Sequence, residues 1–424
     1  MEVLDLARSP VSLVTELPGP QARARIAESS RHVSPSLIFC YPLFVKRASG
    51  CMVEDVDGNI FLDCQAGVAT ASTGHCHPVV AAAIREQAET LIHICGTDFH
   101  YPGYGRLSQR LSDHAGGGWQ VFLTNSGTEG IEAAIKLTRY HTKRSQLIAF
   151  RGGFHGRSLG SLSLTASKVK YRRGFGPLLP GVHHVDYGDA EALERDLFPH
   201  TVPADEVAAV IVEPVQGEGG YLVPPREFLV RLREICDKHG IMLVFDEVQS
   251  GMGRTGRMFA FEHFGVKPDV LVLAKGLASG MPLGAMMARK ELMSWPAGSH
   301  GSTCGGNPVC IAAALATLDL LEGGLCRNAE TTGALMKELL QRGLAGVPVV
   351  TEVRGLGLMI GVEFATPEDS HAVANLCWER GLLVLECGEK AIRMSPPLVI
   401  TPEQARVAVD LFAGACRDRA AGPR

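Results

Sequence analysis

Lys275 is the residue of this sequence whose position most directly suggests chemistry. It follows Val270–Leu273 and Ala274, an apolar run typical of a buried strand, and it precedes Gly276. A charged amine at the end of such a strand is costly unless it is paired or used chemically. Desolvation lowers the pKa of the amine and makes it nucleophilic, as an imine-forming lysine requires. The competing interpretation, a lysine that bends out into solvent, is the more usual one for a lysine considered alone.

Two acidic residues, Asp246 and Glu247, hold an equivalent position after another apolar run, residues 241–245. Ligands of open parallel sheets bind just beyond the carboxyl ends of the strands. An acid at that place is desolvated, so it needs a cationic partner. The same two residues could instead cap a helix or form a structural ion pair.

Small polar residues at positions 124–129 join an apolar run, 121–123, to a segment with helical spacing, 130–141. The free N–H groups and the positive dipole end at such a helix start favour a phosphate. N-capping by Ser126 or Thr128 explains the loop equally well when it is taken alone. Together the three features match a pyridoxal phosphate site: the lysine holds the aldehyde, the acid keeps the ring nitrogen protonated and the helix start holds the phosphate.

Residues 251–256 (GMGRTG) match the G-x-G-x-x-G pattern of dinucleotide-binding folds, and Asp269 lies near the offset of a ribose-binding acid. Such a site needs a helix that opens at the third glycine and a strand that ends at the acid. Residues 257–265 are too few and too aromatic for that helix, and Asp269 precedes its strand. We therefore interpret the motif as a glycine-rich loop and reject nicotinamide chemistry.

The elements that must position these residues alternate between short apolar strands and amphipathic helices. Strands are predicted at 121–123, 147–150, 207–212, 242–245 and 270–273, which indicates an α/β fold with a mainly parallel sheet. Asp57-Gly58 within residues 45–63 predicts a hairpin, and residues 1–35 are expected to form an irregular exposed arm. We expect a large central domain over 71–309 and a smaller α+β domain built from both termini, 1–70 and 310–424.

The composition excludes several classes of protein. Of 424 residues, 46% are hydrophobic and 20% are charged, which is typical of a globular chain. The net charge of −4 disfavours a nucleic-acid or acidic-membrane binder. The longest apolar helix candidate, 308–321, is broken by Thr317 and Asp319, falls short of the roughly 18 residues of a membrane span and is interpreted as a core helix.

The cysteines and the first residues bear on location. Twelve scattered cysteines and the lack of a basic-then-apolar start at residues 1–5 predict a cytoplasmic protein with reduced thiols. No metal is expected, because the spacing of the nearby cysteines and histidines fits no tetrahedral site. That set is Cys51, Cys64, His75, Cys76 and His77.

The motifs resemble those of a known family, the class III (ω-type) aminotransferases of pyridoxal-phosphate fold type I, and most nearly 4-aminobutyrate aminotransferases. The likeness runs from about residue 40 to 410. It is carried by the segments 125–129 (NSGTE), 154–157 (FHGR), 213–220 (EPVQGEGG), 246–249 (DEVQ), 274–276 (AKG) and 301–308 (GSTCGGNP).

The resemblance implies pyridoxal phosphate as the cofactor. Lys275 would form the internal aldimine and later shuttle the proton, and Asp246 would bind the pyridine nitrogen. The other cofactor-binding residues implied are Ser126, Gly127 and Thr128 at the phosphate, Phe154 and Val248 on the two ring faces, His155 beside the ring, Gln249 at the ring hydroxyl, and Thr303, which would reach the phosphate of a neighbouring subunit. Thr303 thus implies a homodimer or a higher homo-oligomer.

The resemblance also implies a substrate site. Arg157 would bind a substrate carboxylate, and Arg393 would bind the α-carboxylate of glutamate or 2-oxoglutarate. Glu218 would pair with Arg393 when an ω-amine is bound, and Val68 would contact the substrate. The implied reaction moves an amino group from an ω-amino acid or amine, 4-aminobutyrate-like, to a keto acid such as 2-oxoglutarate.

Two rival functions remain open at this point. Residues 17–20 (LPGP), 97–101 (TDFHY) and 164–168 (LTASK) resemble a branch that includes broad-substrate amino-acid racemases. Racemisation uses the same Lys275 but needs a second acid on the opposite face, where Phe154 cannot carry a proton and His155 could. The other rival, a cofactor-binding regulator without catalysis, is disfavoured because Lys275 and Asp246 are intact.

Overall fold

The computed structural model of the chain describes residues 6–422, which form three β-sheets and the helices around them. The strands are β1 Val45–Ser49, β2 Met52–Asp55, β3 Ile60–Asp63, β4 Trp119–Thr124, β5 Gln146–Phe150, β6 Val182–Val185, β7 Val207–Val212, β8 Met242–Asp246, β9 Val270–Leu273, β10 Gly284–Arg289, β11 Val350–Leu356, β12 Met359–Phe364, β13 Leu382–Leu383, β14 Leu385–Cys387 and β15 Ala391–Met394.

The α-helices of at least six residues are α1 Pro20–Ser29, α2 Pro78–Thr90, α3 Pro102–His114, α4 Gly127–Thr142, α5 Leu159–Leu164, α6 Arg226–His239, α7 Pro308–Leu320, α8 Cys326–Gly343, α9 Pro367–Trp378 and α10 Pro402–Ala421. Shorter helical turns cover Val169–Tyr171, Leu193–Leu197, Phe198–His200, Ala204–Glu206, Ala260–His263, Lys275–Leu277, Lys290–Leu292 and Leu321–Leu325.

The central sheet has the strand order β4-β10-β9-β8-β7-β5-β6. The pairs along β9-β8-β7-β5-β6 are parallel, whereas β10 runs antiparallel to both of its neighbours. All residues of β7, β8 and β9 are buried, as expected for strands covered on both faces. The five strands predicted from the sequence are all present, so the α/β fold with a mainly parallel sheet is confirmed. Strands β6 and β10 were not predicted.

Two smaller four-stranded sheets have the orders β1-β2-β3-β13 and β11-β12-β15-β14. The Asp57-Gly58 turn joins β2 to β3, which are paired antiparallel, so the predicted hairpin is confirmed. Strand β13 pairs in parallel with β3, and this pairing joins a segment near residue 382 to one near residue 62. The domain boundaries expected at residues 70 and 309 remain a prediction.

The expectation that residues 1–35 are irregular is wrong for Pro20–Ser29, whereas the expected exposure holds for most of residues 20–35. Leu6 is buried, Ser12 is bridged to Ile60, and Pro20–Ser29 forms the helix α1. The carboxylate of Asp57 accepts hydrogen bonds from the first N–H groups of α1, those of Gln21 and Ala22, at 2.9 and 2.8 Å. This cap comes from a distant hairpin, so local sequence could not reveal it. Residues 1–5, on which the expectation about a leader rested, lie outside the described residues.

One helical run, 308–343, is long and apolar enough to cross a membrane by length and composition alone, yet half of its most apolar stretch is buried in the fold. Its first part, α7, packs against α2 and α3, and nearly all of its residues from Pro308 to Leu318 are buried. The packing confirms the predicted core helix.

Candidate active site

A cavity of about 440 Å³ opens at the carboxyl ends of β8 and β9, against the start of α4. This is the edge of a parallel sheet at which ligands bind. The sequence-predicted residues that line the cavity are Ser126, Gly127, Thr128, Phe154, His155, Arg157, Glu218, Asp246, Val248, Gln249 and Lys275. The structure therefore brings together residues from five separate segments of the chain.

Lys275 extends into this cavity from the turn that follows β9. Its backbone adopts a positive φ of 41°, which is uncommon for a residue other than glycine. Burial lowers the pKa of Lys275 below its ordinary value, and the positive charge of Arg393 acts in the same direction. The carboxylates of Asp246, Glu213 and Glu218 oppose that shift. A lowered pKa increases the fraction of neutral amine, which is the nucleophilic form.

Asp246 is the last residue of β8 and is 4% exposed. One of its oxygens, Oδ1, accepts the N–H of Val248 at 3.0 Å, and Oδ2 lies 2.8 Å from Nδ1 of His155. Burial opposes a charge on His155, but the hydrogen bond and the charge of Asp246 outweigh it and raise the pKa of His155. His155 is thus the cationic partner that a desolvated acid at this position requires.

Glu213 is a residue of this site that the sequence interpretation passed over. It directly follows β7, is 6% exposed and lines the cavity. Its carboxylate accepts the N–H groups of Phe154 and Gly217, both at 3.0 Å, and burial raises its pKa to about 7. The signal that identified Asp246, an acid at the end of a buried strand, applies equally to Glu213.

The neighbouring acid Glu247 has a structural role instead. It is fully buried and accepts the N–H groups of Ala260 and Phe261 at 2.6 and 2.8 Å. These bonds cap the short helical turn Ala260–His263, and burial raises the pKa of Glu247 to about 8. Residues 251–256 lead into loop and this short turn rather than a dinucleotide-binding helix, which agrees with the rejection of nicotinamide chemistry.

The start of α4 forms the other wall of the cavity. Ser126 caps the helix by accepting the N–H of Glu129, and Thr128 Oγ1 lies 2.7 and 2.6 Å from the hydroxyls of Ser158 and Ser161. A Cβ atom on Gly127 would stand 2.8 Å from the Val248 side chain. The absence of a side chain on Gly127 therefore allows Val248 to pack directly against the start of α4.

One end of the cavity is bordered by an array of charges around Glu218. Arg393, on β15, is 6% exposed, and its Nη1 lies 3.1 Å from Glu218 Oε2. Burial opposes ionisation of Glu218, but Arg393 and Lys168 outweigh it and hold the pKa of Glu218 below its ordinary value. The guanidinium of Arg157 stacks 4.3 Å from the centre of the Tyr171 ring.

A family model for class III aminotransferases matches residues 38–416. The chain belongs to this family. It is 45% identical over 380 residues to acetylornithine aminotransferase of Methanopyrus kandleri, covering 89% of this chain and 95% of the relative. It is 37% identical over 442 aligned residues to alanine/serine racemase of Pyrococcus horikoshii, covering 97% and 93%. The crystal structure of ornithine aminotransferase from Toxoplasma gondii superposes with a TM-score of 0.89 at 33% identity, covering 96% and 97%.

Class III aminotransferases are pyridoxal-phosphate-dependent transaminases of fold type I, and this chain is one of them. Its residues fit that cofactor. Among the described residues, the buried Oε1 of Gln249 has no hydrogen-bond partner, and this atom belongs to a residue that lines the cavity. Lys275, Asp246 and the start of α4 stand around the same space, with an amine, an anion and free N–H groups.

Three residues predicted for the site of this aminotransferase do not line the cavity. Arg393 lies behind Glu218, whereas Thr303 and Val68 are exposed. Val68 belongs to a left-handed turn, Ala66–Ala69, in which four consecutive residues have φ between 49° and 61°. Within one chain, Val68 and Thr303 therefore have no place in the cavity, and their predicted roles stay predictions.

Proposed function

We propose that this aminotransferase transfers the terminal amino group of an ω-amino acid, one with a distal carboxylate, to 2-oxoglutarate. The observation that supports the proposal is the charge array beyond Lys275. Lys168 and Arg393 lie against the carboxylate of Glu218, and Arg157 stacks on Tyr171, whose hydroxyl donates to that carboxylate. These three cations exceed the one anion by two charges. A dicarboxylate keto acid brings two negative charges and neutralises that excess.

The two carboxylates of 2-oxoglutarate would have separate receptors. The α-carboxylate would take Arg393 as its bidentate partner and displace Glu218, and the distal carboxylate would bind Arg157. An ω-amino acid has no carboxylate on its reacting carbon, so Glu218 would stay on Arg393 while Arg157 binds the far carboxylate. One cavity would accept both substrates in this way.

The same charges discriminate among donors. Ornithine carries a second ammonium group beside its carboxylate, which the cationic array would repel. N2-acetylornithine and 4-aminobutyrate carry no such charge. Relatives named acetylornithine aminotransferase are 45% and 39% identical to this chain. We therefore propose N2-acetylornithine as the first donor, with 4-aminobutyrate as a shorter donor of the same class.

The residues of the cavity would divide the chemistry as follows. Pyridoxal phosphate, when bound, supplies an aldehyde that joins an amine covalently and a ring that accepts electrons. The amine of Lys275 would hold the aldehyde and then move the proton to and from the donor carbon. Asp246, stabilised by His155, would keep the ring nitrogen protonated. The N–H groups of Gly127 and Thr128 would bind the phosphate, and Phe154 and Val248 would enclose the ring.

The proposed assembly is a homodimer in which each subunit supplies Thr303 to the other. Ser302 anchors the Thr303 loop beside the cavity, since its hydroxyl bonds the amide of Asn125 at 3.2 Å and the N–H of Gly305 at 3.0 Å. Ile92 and Phe99, on segments that contact this loop, are 65% and 58% exposed, as expected for a surface that a second copy covers.

The experiment is a donor and acceptor panel with the purified enzyme, followed by glutamate formation. N2-acetylornithine with 2-oxoglutarate should turn over faster than ornithine with 2-oxoglutarate, and pyruvate should be the poorer acceptor. Arg157→Met should raise the KM of both carboxylate-bearing substrates. Faster turnover of ornithine, or of pyruvate, would contradict the charge argument.

A racemase is the second candidate, favoured by the similarity to alanine/serine racemase over 97% of this chain. The second acid that it needs has one candidate among the described residues of the cavity, Glu213, whose pKa is raised to about 7 but whose carboxylate already accepts the N–H groups of Phe154 and Gly217. His155 is only 3% exposed and bonded to Asp246, and the depressed pKa of Glu218 leaves it without a proton at neutral pH. The test is incubation of single amino-acid enantiomers in heavy water without keto acid. Repeated turnover to the opposite enantiomer would establish racemisation.

A further inference from the structure

Lys168 contacts the centre of the charge array, although none of the roles above uses it in catalysis. Its Nζ lies 3.2 Å from Glu218 Oε1, and the hydroxyl of Tyr171 donates a hydrogen bond to the same oxygen at 2.9 Å. Arg393 lies against the other oxygen, Oε2, at 3.1 Å. The two oxygens of Glu218 therefore have separate sets of partners.

This division matters when a substrate occupies Arg393. The α-carboxylate of glutamate would take the guanidinium from Glu218 and place a like charge beside it. Without another cation, a largely buried carboxylate that has lost Arg393 would be strongly destabilised. Glu218 must then have a second cation within reach, or the α-carboxylate cannot compete for Arg393.

The backbone limits where that cation can be. The carbonyl of Glu218 accepts the N–H of Gly388 at 2.7 Å, which ties it to the loop between β14 and β15, next to the strand of Arg393. Glu218 can therefore leave Arg393 only by rotating its side chain. Lys168 begins the short turn Val169–Tyr171, and the N–H of Tyr171 bonds the carbonyl of Lys168 at 3.1 Å. This turn holds both partners of Oε1 on one side of Glu218.

We propose that Lys168 is a positioning residue that holds Glu218 away from Arg393 while an α-carboxylate is bound. The inference rests on the proposed use of two kinds of substrate at one site. When glutamate or 2-oxoglutarate binds, Glu218 leaves Arg393. Lys168 stabilises this form of the cavity, because it replaces Arg393 as the charge partner of Glu218. It contributes much less to the form that binds an ω-amine, in which Arg393 remains paired.

The test compares the two half-reactions in Lys168→Met, which keeps the length of the stem and removes the charge. Glutamate and 2-oxoglutarate should bind roughly tenfold more weakly, equivalent to about 1.4 kcal/mol. The ω-amine half-reaction should stay within about twofold of the parent. Lys168→Arg should restore most of the loss. A binding titration with glutarate, an inert five-carbon dicarboxylate, measures the same effect without any turnover. The parent and Lys168→Arg should bind glutarate more tightly than Lys168→Met does.

A matched control and a double variant exclude a merely structural role. Lys170→Met removes a charge from the same turn, where the Lys170 amine lies 5.6 Å from the centre of the Tyr171 ring, and should change the glutamate half-reaction far less. If Lys168 acts through Glu218, then Lys168→Met should add little in a Glu218→Gln background. Equal losses in both half-reactions, an undiminished effect in that background, or no effect on glutamate binding would overturn the proposal.

Failure of the proposed function is read separately, on the unsubstituted enzyme in the donor and acceptor panel. The Lys168 comparison uses only the ratio of variant to parent. The comparison can use any amine without an α-carboxylate that the parent enzyme accepts. The glutarate titration needs no amino donor at all.

Discussion

Removing the charge of His155 should slow the reaction without emptying the site. In His155→Phe, Asp246 loses the 2.8 Å contact from Nδ1 and keeps only the N–H of Val248. The aromatic volume is retained, so the change acts mainly on the hydrogen bond and its charge. An Asp246 left without this partner is held by one hydrogen bond fewer, so its carboxylate is less well oriented to stabilise a protonated ring nitrogen.

The magnitude follows from that contact. Hydrogen bonds to charged groups contribute roughly 1.5–3 kcal/mol, which corresponds to a rate loss of about 10- to 150-fold. His155→Gln, whose amide can still donate to Asp246, should fall between the parent and His155→Phe. The assay is the single-turnover rate of pyridoxamine phosphate formation from a saturating amino donor, with cofactor occupancy measured separately by absorbance.

The pH dependence of stability provides a second measure. The folded-state pKa of His155 is raised above its ordinary value, so the stabilisation from its charge is fully present below about pH 6.5. It is lost as the pH rises through the folded pKa. The difference in unfolding free energy between parent and His155→Phe should therefore be larger at pH 6 than at pH 9. A parent-like rate in His155→Phe, at full occupancy and alongside a slow Asp246→Asn, would show that His155 only fills space.

Three further predictions concern the cofactor and the substrate. Lys275→Ala should lose the visible absorbance of the lysine-bound cofactor and nearly all turnover; near-parent amino transfer would refute the role of Lys275. Glu218→Gln should harm the ω-amine half-reaction more than the glutamate half-reaction, as measured by stopped-flow absorbance, whereas equal losses would indicate a purely structural ion pair. Gly127→Ala, with a Cβ 2.8 Å from Val248, should weaken cofactor affinity measured by dialysis and reconstitution; unchanged affinity would show that the helix start can shift.

The sequence was sufficient to predict the strands of the parallel core, because these strands have a clear apolar pattern. β7, β8 and β9 are continuously apolar and fully buried, so periodicity and burial point to the same assignment. β10 was not predicted, because it begins with glycine and contains two alanines. Glycine and alanine are both depleted in strands. Its pairing with β4 on one side and β9 on the other decides its conformation, and that information is not local.

The part of the site that follows apolar strands was predictable for the same reason, whereas its long-range pairings were not. Asp246 ends one apolar strand and Lys275 lies two residues after another, so their place at the ligand-binding edge follows from the sequence itself. The pairing of His155 with Asp246 joins residues 91 positions apart, and the pairing of Lys168 with Glu218 joins two loops. Neither pairing leaves a local pattern. Glu213 is the opposite case, since it directly follows the apolar strand β7 and therefore has the same local pattern as Asp246.

The backbone around Lys275 shows what no pattern of residue types could have indicated. Lys275 has a φ of 41°, and the turn Ala66–Ala69, which contacts the Lys275–Leu277 turn, has four consecutive left-handed residues. Left-handed conformations cost roughly 1–2 kcal/mol for each residue other than glycine, and they persist where the surrounding structure leaves no alternative. Here hydrogen bonds from the Gln65 and Ala66 N–H groups to Asp63 fix the start of that turn. The strain is concentrated beside the one lysine that must face the cavity, so the fold fixes the position of the amine at the expense of local stability.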